Sequence, residues 1–305
     1  MEEIVLTLNN ETSVGLGDNL CLLSALANIP PIVNLQVDDR HDTYNRLAQY
    51  KRIFRIPDSQ LKVTRSKFIS GNINNVGWPI KVFSEYYRPT HVNVNGQQLK
   101  VKDNTSQKKY IAIACSTDLA GPENEWPWCR SRPTEFWGRL MSWVKEMEYE
   151  VITVDHACHK LENKIELMVK NCRAIISYEG GMAHLAHMLD IPCFILDWKL
   201  PSPSTTLDRF HCEFVHMTNS VYIIRNDEEL FKWNKTDFDT KIFALENGNG
   251  NNRFVNGTAK YSFDGPGVSG TVRVVSQGGI ELLNAPPMFG PTKQLTQLLN
   301  EYYSK

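Results

Sequence analysis

The sequence predicts an α/β protein whose strands form parallel sheets, and three observations support this prediction. Short apolar runs alternate along the chain with segments in which apolar residues recur at helical spacing. The two runs on either side of residues 179–181, Ala174–Tyr178 and Cys193–Leu196, do not alternate strictly between apolar and polar residues, which is typical of strands that are covered on both faces. With 305 residues, the chain exceeds the usual single domain and fits two domains of modest size.

The amino-terminal domain is expected to cover residues 1–101. Its predicted elements are strand Ile4–Leu8, a helix that begins near Asp18, strand Ile32–Val37, helix Thr43–Phe54 and strand Leu61–Thr64. An apolar stripe at helical spacing indicates the first helix, and its members are Leu16, Leu20, Leu23 and Ala27. This alternation of strands and helices predicts a Rossmann-like, doubly wound sheet.

The second domain is expected to cover residues 110–245. Residues 93–109 are rich in Asn, Gln and Lys, so we interpret them as an interdomain linker, with the boundary between the domains at residues 102–109. The predicted elements of the second domain are strand Tyr110–Ala114, helix Thr134–Met147, strand Val151–Val154, helix Leu161–Cys172, strand Ala174–Tyr178, helix Met182–Leu189 and strand Cys193–Leu196. Their regular alternation predicts a second doubly wound parallel sheet.

Residues 246–305 are expected to form a small appendage. A loop rich in Gly and Asn at residues 247–252 opens this region. Three short strands separated by glycine-rich turns follow it, and they are Lys260–Phe263, Thr271–Val275 and Ile280–Leu283. A last helix is predicted from about Pro291 to Tyr303.

A glycine turn at Glu179, Gly180 and Gly181 stands where a predicted strand ends and a helix begins. In a parallel sheet this point lies at the carboxyl edge, where such sheets bind ligands. Two glycines let the backbone approach a ligand closely, and the first N–H groups of the helix favour an anion such as a diphosphate. His184 follows in the first helical turn, where its side chain reaches a bound phosphate or sugar. The alternative is an ordinary tight turn.

This segment resembles the donor-binding motif of glycosyltransferase family 9, the ADP-heptose:lipopolysaccharide heptosyltransferases. The family carries Asp-Thr-Gly, two further residues and then His-Leu-Ala between two apolar strands. The corresponding residues here are Glu179, Gly180, Gly181, His184, Leu185 and Ala186. Glu179 stands in place of Asp and Gly180 in place of Thr, so we expect a longer carboxylate and added room beside it.

The chain resembles the same family at Leu16, Gly17 and Asp18, after the first strand. In the family, the aspartate at this place is the proposed catalytic base, and the resemblance assigns the neighbouring Gly17 to donor binding. An ionised carboxylate accepts the proton of an acceptor hydroxyl as that oxygen attacks an anomeric carbon. The alternative for Asp18 is a helix N-cap, a position that aspartate favours.

A third place of resemblance lies before the predicted helix at Thr134. Arg130 takes the position of a lysine in the family, Arg132 takes that of a tryptophan, and Pro133 is kept. Guanidinium groups bind phosphate oxygens bidentately and keep their charge, so the resemblance assigns both arginines to the donor diphosphate. The alternative is a solvated pair of charges at a helix end. Two hydroxyl residues match those that contact the donor phosphates in the family, and they are Ser116 and Thr117.

The resemblance implies a GT-B glycosyltransferase, with two Rossmann-like domains facing across a cleft, a small β appendage and a terminal helix. The implied reaction is inverting and independent of metal, with a nucleotide-diphosphate sugar as donor and no cofactor. The acceptor is expected to offer a free hydroxyl group on a glycan or, as an alternative, on a hydroxymethylated base of phage DNA. A further alternative is a catalytically silent protein of the same fold that binds a sugar or nucleotide.

Composition agrees with an enzyme of this kind without identifying it. The net charge of −1 and the pI of about 6.7 give no general attraction to nucleic acid or to an anionic membrane. No apolar stretch is long enough to span a bilayer, and the start lacks the basic residues of a signal peptide, so we expect a cytoplasmic protein. The seven scattered cysteines favour reduced thiols. His156, Cys158 and His159 lie too close in sequence for a usual zinc site, so no metal site is expected.

Overall fold

The computed structural model describes fourteen segments of the chain and divides it into two units. The described residues are 4–8, 16–27, 32–38, 42–66, 87–102, 108–115, 132–154, 160–178, 180–196, 221–224, 226–250, 259–265, 268–275 and 279–284. The first unit comprises Met1–Tyr87, Thr205–His216 and Phe254–Lys305, and the second comprises Arg88–Ser204 and Met217–Arg253. The second unit therefore begins earlier in the chain than the boundary we predicted.

The first unit contains a parallel three-stranded sheet and two helices. Its strands are β1 (Ile4–Leu8), β2 (Val33–Asp38) and β3 (Leu61–Ser66), and its helices are α1 (Leu16–Ala27) and α2 (Thr43–Ile53). The strand order is β1-β2-β3, and each pair is parallel. On α1 Leu20 and Leu23 are fully buried and Ala27 is nearly so, as the apolar stripe predicts, whereas Leu16 is only partly buried. The predicted elements of this region are confirmed to within a few residues.

A β-hairpin replaces much of the predicted linker. Its strands are β4 (His91–Val94) and β5 (Gln97–Lys100), which pair antiparallel. The turn residues Asn95 and Gly96 both have positive φ, at 48° and 75°, as a tight two-residue hairpin requires. The backbone N–H of Asn95 donates to Glu162 at 2.8 Å, which connects the turn to the helix that carries Glu162. The linker interpretation is therefore wrong for residues 93–100.

The second unit is built on a five-stranded sheet in which every pair is parallel. Its strands are β6 (Tyr110–Ala114), β7 (Glu150–Thr153), β8 (Cys172–Tyr178), β9 (Cys193–Leu196) and β10 (Val221–Ile224). Its helices are α3 (Thr134–Glu146), α4 (Leu161–Asn171), α5 (Gly181–Met188), α6 (Asp227–Leu230) and α7 (Lys235–Glu246). The prediction of a parallel sheet in an α/β unit is confirmed here, although the sequence did not predict β10.

An aromatic cluster packs α3 and α7 together with the central part of this sheet. The ring of Phe238 on α7 lies 5.1 Å from Trp143 of α3 and 5.1 Å from Phe194 of β9, measured between centroids. The indole N–H of Trp143 donates to the carbonyl oxygen of Trp233 at 3.3 Å, so this buried donor is satisfied. These contacts fix α3 on the sheet and, with it, the chain that enters α3.

The strands of the appendage form an antiparallel sheet. They are β11 (Ala259–Gly265), β12 (Val268–Val275) and β13 (Gly279–Asn284), in the order β11-β12-β13. This confirms three short strands, and the helix predicted at 291–303 lies outside the described residues. Within the described segments, no helix has the length and hydropathy that crossing a membrane requires.

Candidate functional site

The sheet of the second unit has a topological switch point between β6 and β8. β7 lies on one side of β6, whereas β8, β9 and β10 follow in order on the other side. At such a point the connections leave toward opposite faces, and a crevice opens at the carboxyl ends of the two strands, where open α/β sheets bind ligands. Ala114 pairs with Ser177, so the ends of β6 and β8 lie side by side. The glycine turn follows β8, and Ser116 and Thr117 follow β6 in the sequence.

Gly180 and Gly181 form the junction between β8 and α5. Gly180 is the N-cap, and its carbonyl oxygen accepts hydrogen bonds from the N–H groups of Ala183 at 3.0 Å and His184 at 3.3 Å. The N–H groups of Gly181 and Met182 come first in the helix and have no acceptor within it. Together with the positive end of the helix dipole, they suit an anion at this edge of the sheet.

Tyr178 occupies the space beside Gly180. A Cβ atom at Gly180 would lie 3.0 Å from Cε2 of the Tyr178 ring, which is closer than ordinary van der Waals contact. The added room that we expected at this position is therefore not found, because the Tyr178 ring lies in contact with the place that a Cβ atom at residue 180 would take. Glu179, which stands between them, lies outside the described residues.

The helix α5 is buried over nearly its whole length. Its residues from Met182 onward are buried, and they include two histidines, His184 at 8% exposure and His187 at 3%. His184 lies in the first turn, as predicted, and its role toward a donor stays a prediction. Near the other end of the helix, Nε2 of His187 lies 3.3 Å from Nη2 of Arg88.

Arg132 is buried at the entrance to α3. Its side chain is 2% exposed and forms an ion pair with Asp227 at the start of α6. Its carbonyl oxygen accepts a hydrogen bond from the indole N–H of Trp137 at 3.1 Å. The alternative of a solvated charge is therefore wrong for Arg132, and the pair fixes the chain two residues after Arg130. A direct contact of Arg132 with a donor stays a prediction.

Asp227 was not predicted from the sequence. Asn226 and the acidic residues after it signal a helix start, and the Asn226 side chain accepts from the N–H of Glu228 at 3.0 Å. That local pattern says nothing of Arg132, which lies 95 residues away in the sequence.

Asn19 was also missed. This residue is 1% exposed, and its Oδ1 atom has no hydrogen-bond partner among the residues that the structure describes. Buried acceptors of this kind require an explanation, for which a donor from water or a ligand is the usual one. In the sequence Asn19 stands next to Asp18, and α1 begins at Leu16. Gly17 and Asp18 therefore lie in the first helical turn, and the N-cap alternative for Asp18 does not fit.

Other predicted site residues lie outside the described residues. They are Ser116, Thr117, Arg130 and Glu179, and the cluster of His156, Cys158 and His159 lies outside as well. In the part of the chain that the structure describes, no group of three or more His, Cys, Asp or Glu side chains is arranged to hold a metal ion. Burial raises the pKa of Cys172 to about 12, so this thiol stays protonated at neutral pH.

Comparison with known proteins finds distant structural neighbours. No family model matches the chain, and no curated protein sequence matches it. The chain is similar to the bacterial iron-containing dodecameric glycosyltransferase TibC from enterotoxigenic E. coli H10407, at 12% identity and a TM-score of 0.39, over 67% of this chain and 60% of that one. It is also similar to the dodecameric iron-containing heptosyltransferase TibC in complex with ADP-D-beta-D-heptose, at 12% identity and a TM-score of 0.36, over 82% and 73%. The chain thus spans less than two thirds of the first structure, and at these TM-scores neither likeness bears on function.

Proposed function

We propose that the protein is an inverting, metal-independent GT-B glycosyltransferase that moves a sugar from a nucleotide-diphosphate donor to an acceptor hydroxyl. The observation that carries this proposal is the switch point between β6 and β8, with a glycine turn and a helix start at its edge. The sequence resemblance to glycosyltransferase family 9 at three places supports it independently.

The donor diphosphate binds at the glycine turn. The N–H groups of Gly181 and Met182 face the phosphates, and Arg130 adds a permanent positive charge. Ser116 and Thr117 supply hydroxyl groups from the end of β6. The oriented dipoles of the helix start and a guanidinium stabilise the diphosphate as it leaves, which replaces the charge that a metal ion supplies in other transferases.

The reaction is a direct displacement at the anomeric carbon. The acceptor oxygen forms a bond to this carbon while the bond to the diphosphate oxygen breaks, and the configuration inverts. Asp18 takes the proton of the acceptor hydroxyl, and the diphosphate leaves with the electron pair of the broken bond. Glu179 and His184 orient the donor sugar through its hydroxyl groups.

Thermal stabilisation by nucleotide sugars tests the proposal. ADP-, UDP-, GDP-, CDP- and TDP-linked sugars are each compared with the matching free nucleoside at the same concentration. A donor present at about a hundred times its Kd stabilises the folded state by about 2.7 kcal/mol, which is easily measured. We expect at least one nucleotide sugar, and no nucleoside, to raise the melting temperature, and mass spectrometry to detect its sugar on an acceptor. Absence of stabilisation by every donor would refute the proposal.

A further inference from the structure

A contact with the ring of Tyr178 favours glycine at position 180, whereas the backbone conformation there does not require it. Gly180 has φ 166° and ψ −170°, an extended conformation that any residue adopts. A Cβ atom there would lie 3.0 Å from Cε2, 3.5 Å from Cδ2 and 3.8 Å from Cζ of Tyr178. A side chain at residue 180 would therefore require the ring or the turn to shift by a few tenths of an ångström.

The backbone of Tyr178 is held in the sheet, and its ring is packed among buried neighbours. It is the last residue of β8, the central strand of the sheet, and it pairs with Leu196 of β9. Its carbonyl oxygen accepts a hydrogen bond from the hydroxyl of Ser177 at 2.7 Å, and the residue is only 6% exposed. Because the ring is packed and its backbone is held, we expect a larger residue at 180 to move Gly180 and the start of α5 rather than the ring.

We propose that Tyr178 is a positioning residue of the donor site, whose ring packs against Gly180 and so fixes the first N–H groups of α5. This inference rests on the proposed function, because those N–H groups face the donor diphosphate in that proposal. Gly181 and Met182 follow the packed residue directly, so a shift of the turn by a few tenths of an ångström moves both donors relative to the phosphate oxygens. The packing of Tyr178 against Gly180 contributes to the affinity for the diphosphate group of the donor, and the affinity for the nucleoside does not depend on it.

The test measures what Gly180→Val does in three backgrounds: the parent, Tyr178→Phe and Tyr178→Leu. Valine is compatible with extended backbone, and its branched side chain meets the ring. Titration calorimetry gives the affinity for ADP, UDP, GDP and CDP, each compared with its nucleoside. In the parent and in the Tyr178→Phe background, which both keep the ring, we expect Gly180→Val to weaken diphosphate binding by on the order of tenfold. In the Tyr178→Leu background, where the space is open, we expect a change of less than about twofold.

Gly138→Val is the matched control. Gly138 lies exposed on α3 with no atom within 4 Å of an added Cβ, so valine there leaves binding unchanged. Urea unfolding of the same variants gives the coupling between residues 178 and 180 without any nucleotide. The two positions should be coupled in stability as well as in diphosphate affinity, and nucleoside affinity should stay constant.

The outcomes separate this inference from the proposed function. If the parent binds a diphosphate and Gly180→Val binds it equally well, Tyr178 has no positioning role and the proposed function stands. An equal loss in all three backgrounds also overturns the inference, since the ring then plays no part. If positions 178 and 180 are coupled in stability but the parent binds no diphosphate, the packing is structural only, and both proposals fall.

Discussion

Arg132 donates two hydrogen bonds to the carboxylate of Asp227, from Nε to Oδ2 at 2.9 Å and from Nη2 to Oδ1 at 3.0 Å. The Arg132 side chain is 2% exposed, and that of Asp227 is 21% exposed. The pair joins the entrance of α3 to α6, across 95 residues of sequence. Because burying a guanidinium without a carboxylate partner destabilises the folded state, we expect this pair to contribute to the free energy of unfolding.

The first prediction is that Asp227→Asn lowers the free energy of unfolding by about 3 kcal/mol, the low end of the range for breaking a buried ion pair. The amide keeps the size of the side chain but removes the negative charge that faces the buried Arg132 guanidinium. Urea denaturation followed by circular dichroism measures the change.

Glu228→Gln is the matched control for this prediction. Glu228 is the next residue and also receives two hydrogen bonds, from Nη1 and Nη2 of Arg139, which lower its pKa. Both side chains of that pair are more than half exposed, so solvent screens the interaction and we expect a far smaller effect. Equal losses for the two variants would show that burial does not decide the strength of the Arg132–Asp227 pair.

The second prediction is that Gly138→Ala stabilises the protein by about 0.5–1 kcal/mol, the usual gain when alanine replaces glycine inside a helix. Gly138 lies on the exposed side of α3, and an added Cβ meets no atom within 4 Å. The measurement is again the midpoint of urea denaturation.

Gly248→Ala should have the opposite sign. Gly248 follows α7 with φ 72°, and its N–H bonds to the carbonyl of Leu245 while that of Asn249 bonds to Ala244. These bonds form a Schellman motif, in which a left-handed residue costs about 1 kcal/mol or more unless it is glycine. A gain at both positions would contradict the conformational argument.

Most elements of the two parallel sheets could be predicted because their signals are local. The apolar run Tyr110–Ala114 and the stripe on α3 depend only on neighbouring residues, and the structure has both. The hairpin turn at Asn95 and Gly96 could also be predicted, since Asn-Gly between two segments that alternate between apolar and polar residues is a strong turn signal. The polar composition of residues 93–109 outweighed that signal and led to the linker interpretation.

The contacts of the candidate site could not be predicted in the same way. The glycine turn was found from its local pattern, but the partner of Arg132 depends on how the sheet folds. Tyr178 was interpreted only as the end of an apolar strand, because sequence spacing does not show that its ring turns toward Gly180. From the sequence, Gly180 suggests open space beside the backbone, whereas in the structure the ring of Tyr178 lies against it.

The third prediction is that Asp18→Asn abolishes glycosyl transfer while nucleotide affinity and the free energy of unfolding stay nearly unchanged. An amide keeps the size and polarity of the side chain but cannot accept the proton at neutral pH. Loss of a general base lowers the rate by about a hundredfold or more. Transfer is measured as formation of the glycosylated product, with calorimetry for nucleotide binding. Equal rates for variant and parent would reduce Asp18 to a structural residue of α1.

The fourth prediction concerns metal. If Arg130 and the start of α5 carry the charge of the leaving diphosphate, excess EDTA leaves transfer unchanged. Arg130→Ala then weakens the binding of a nucleoside diphosphate far more than that of the nucleoside, because only the phosphates lose a partner. Arg139→Ala, which removes an exposed arginine of α3 paired with Glu228, serves as the control and should leave both affinities intact. Activity lost with EDTA and restored by manganese or magnesium would overturn this assignment.

The fifth prediction is that donor choice depends on Glu179 and Gly180 together with Tyr178. Glu179→Asp shortens the carboxylate by one methylene, and Gly180→Thr adds the side chain that family 9 carries. Threonine at 180 meets the Tyr178 ring, so we expect the double variant to bind every nucleotide sugar more weakly.

Adding Tyr178→Leu opens the space that threonine needs. A sugar that lacks a hydroxyl partner leaves a buried carboxylate oxygen unpaired, at about 1–3 kcal/mol, so moving the carboxylate changes which sugars bind well. The triple variant should therefore rank nucleotide sugars differently from Tyr178→Leu alone, with ADP-heptose moved up, in both thermal shift and transfer. The same rank order in the two proteins would place donor selection elsewhere in the chain.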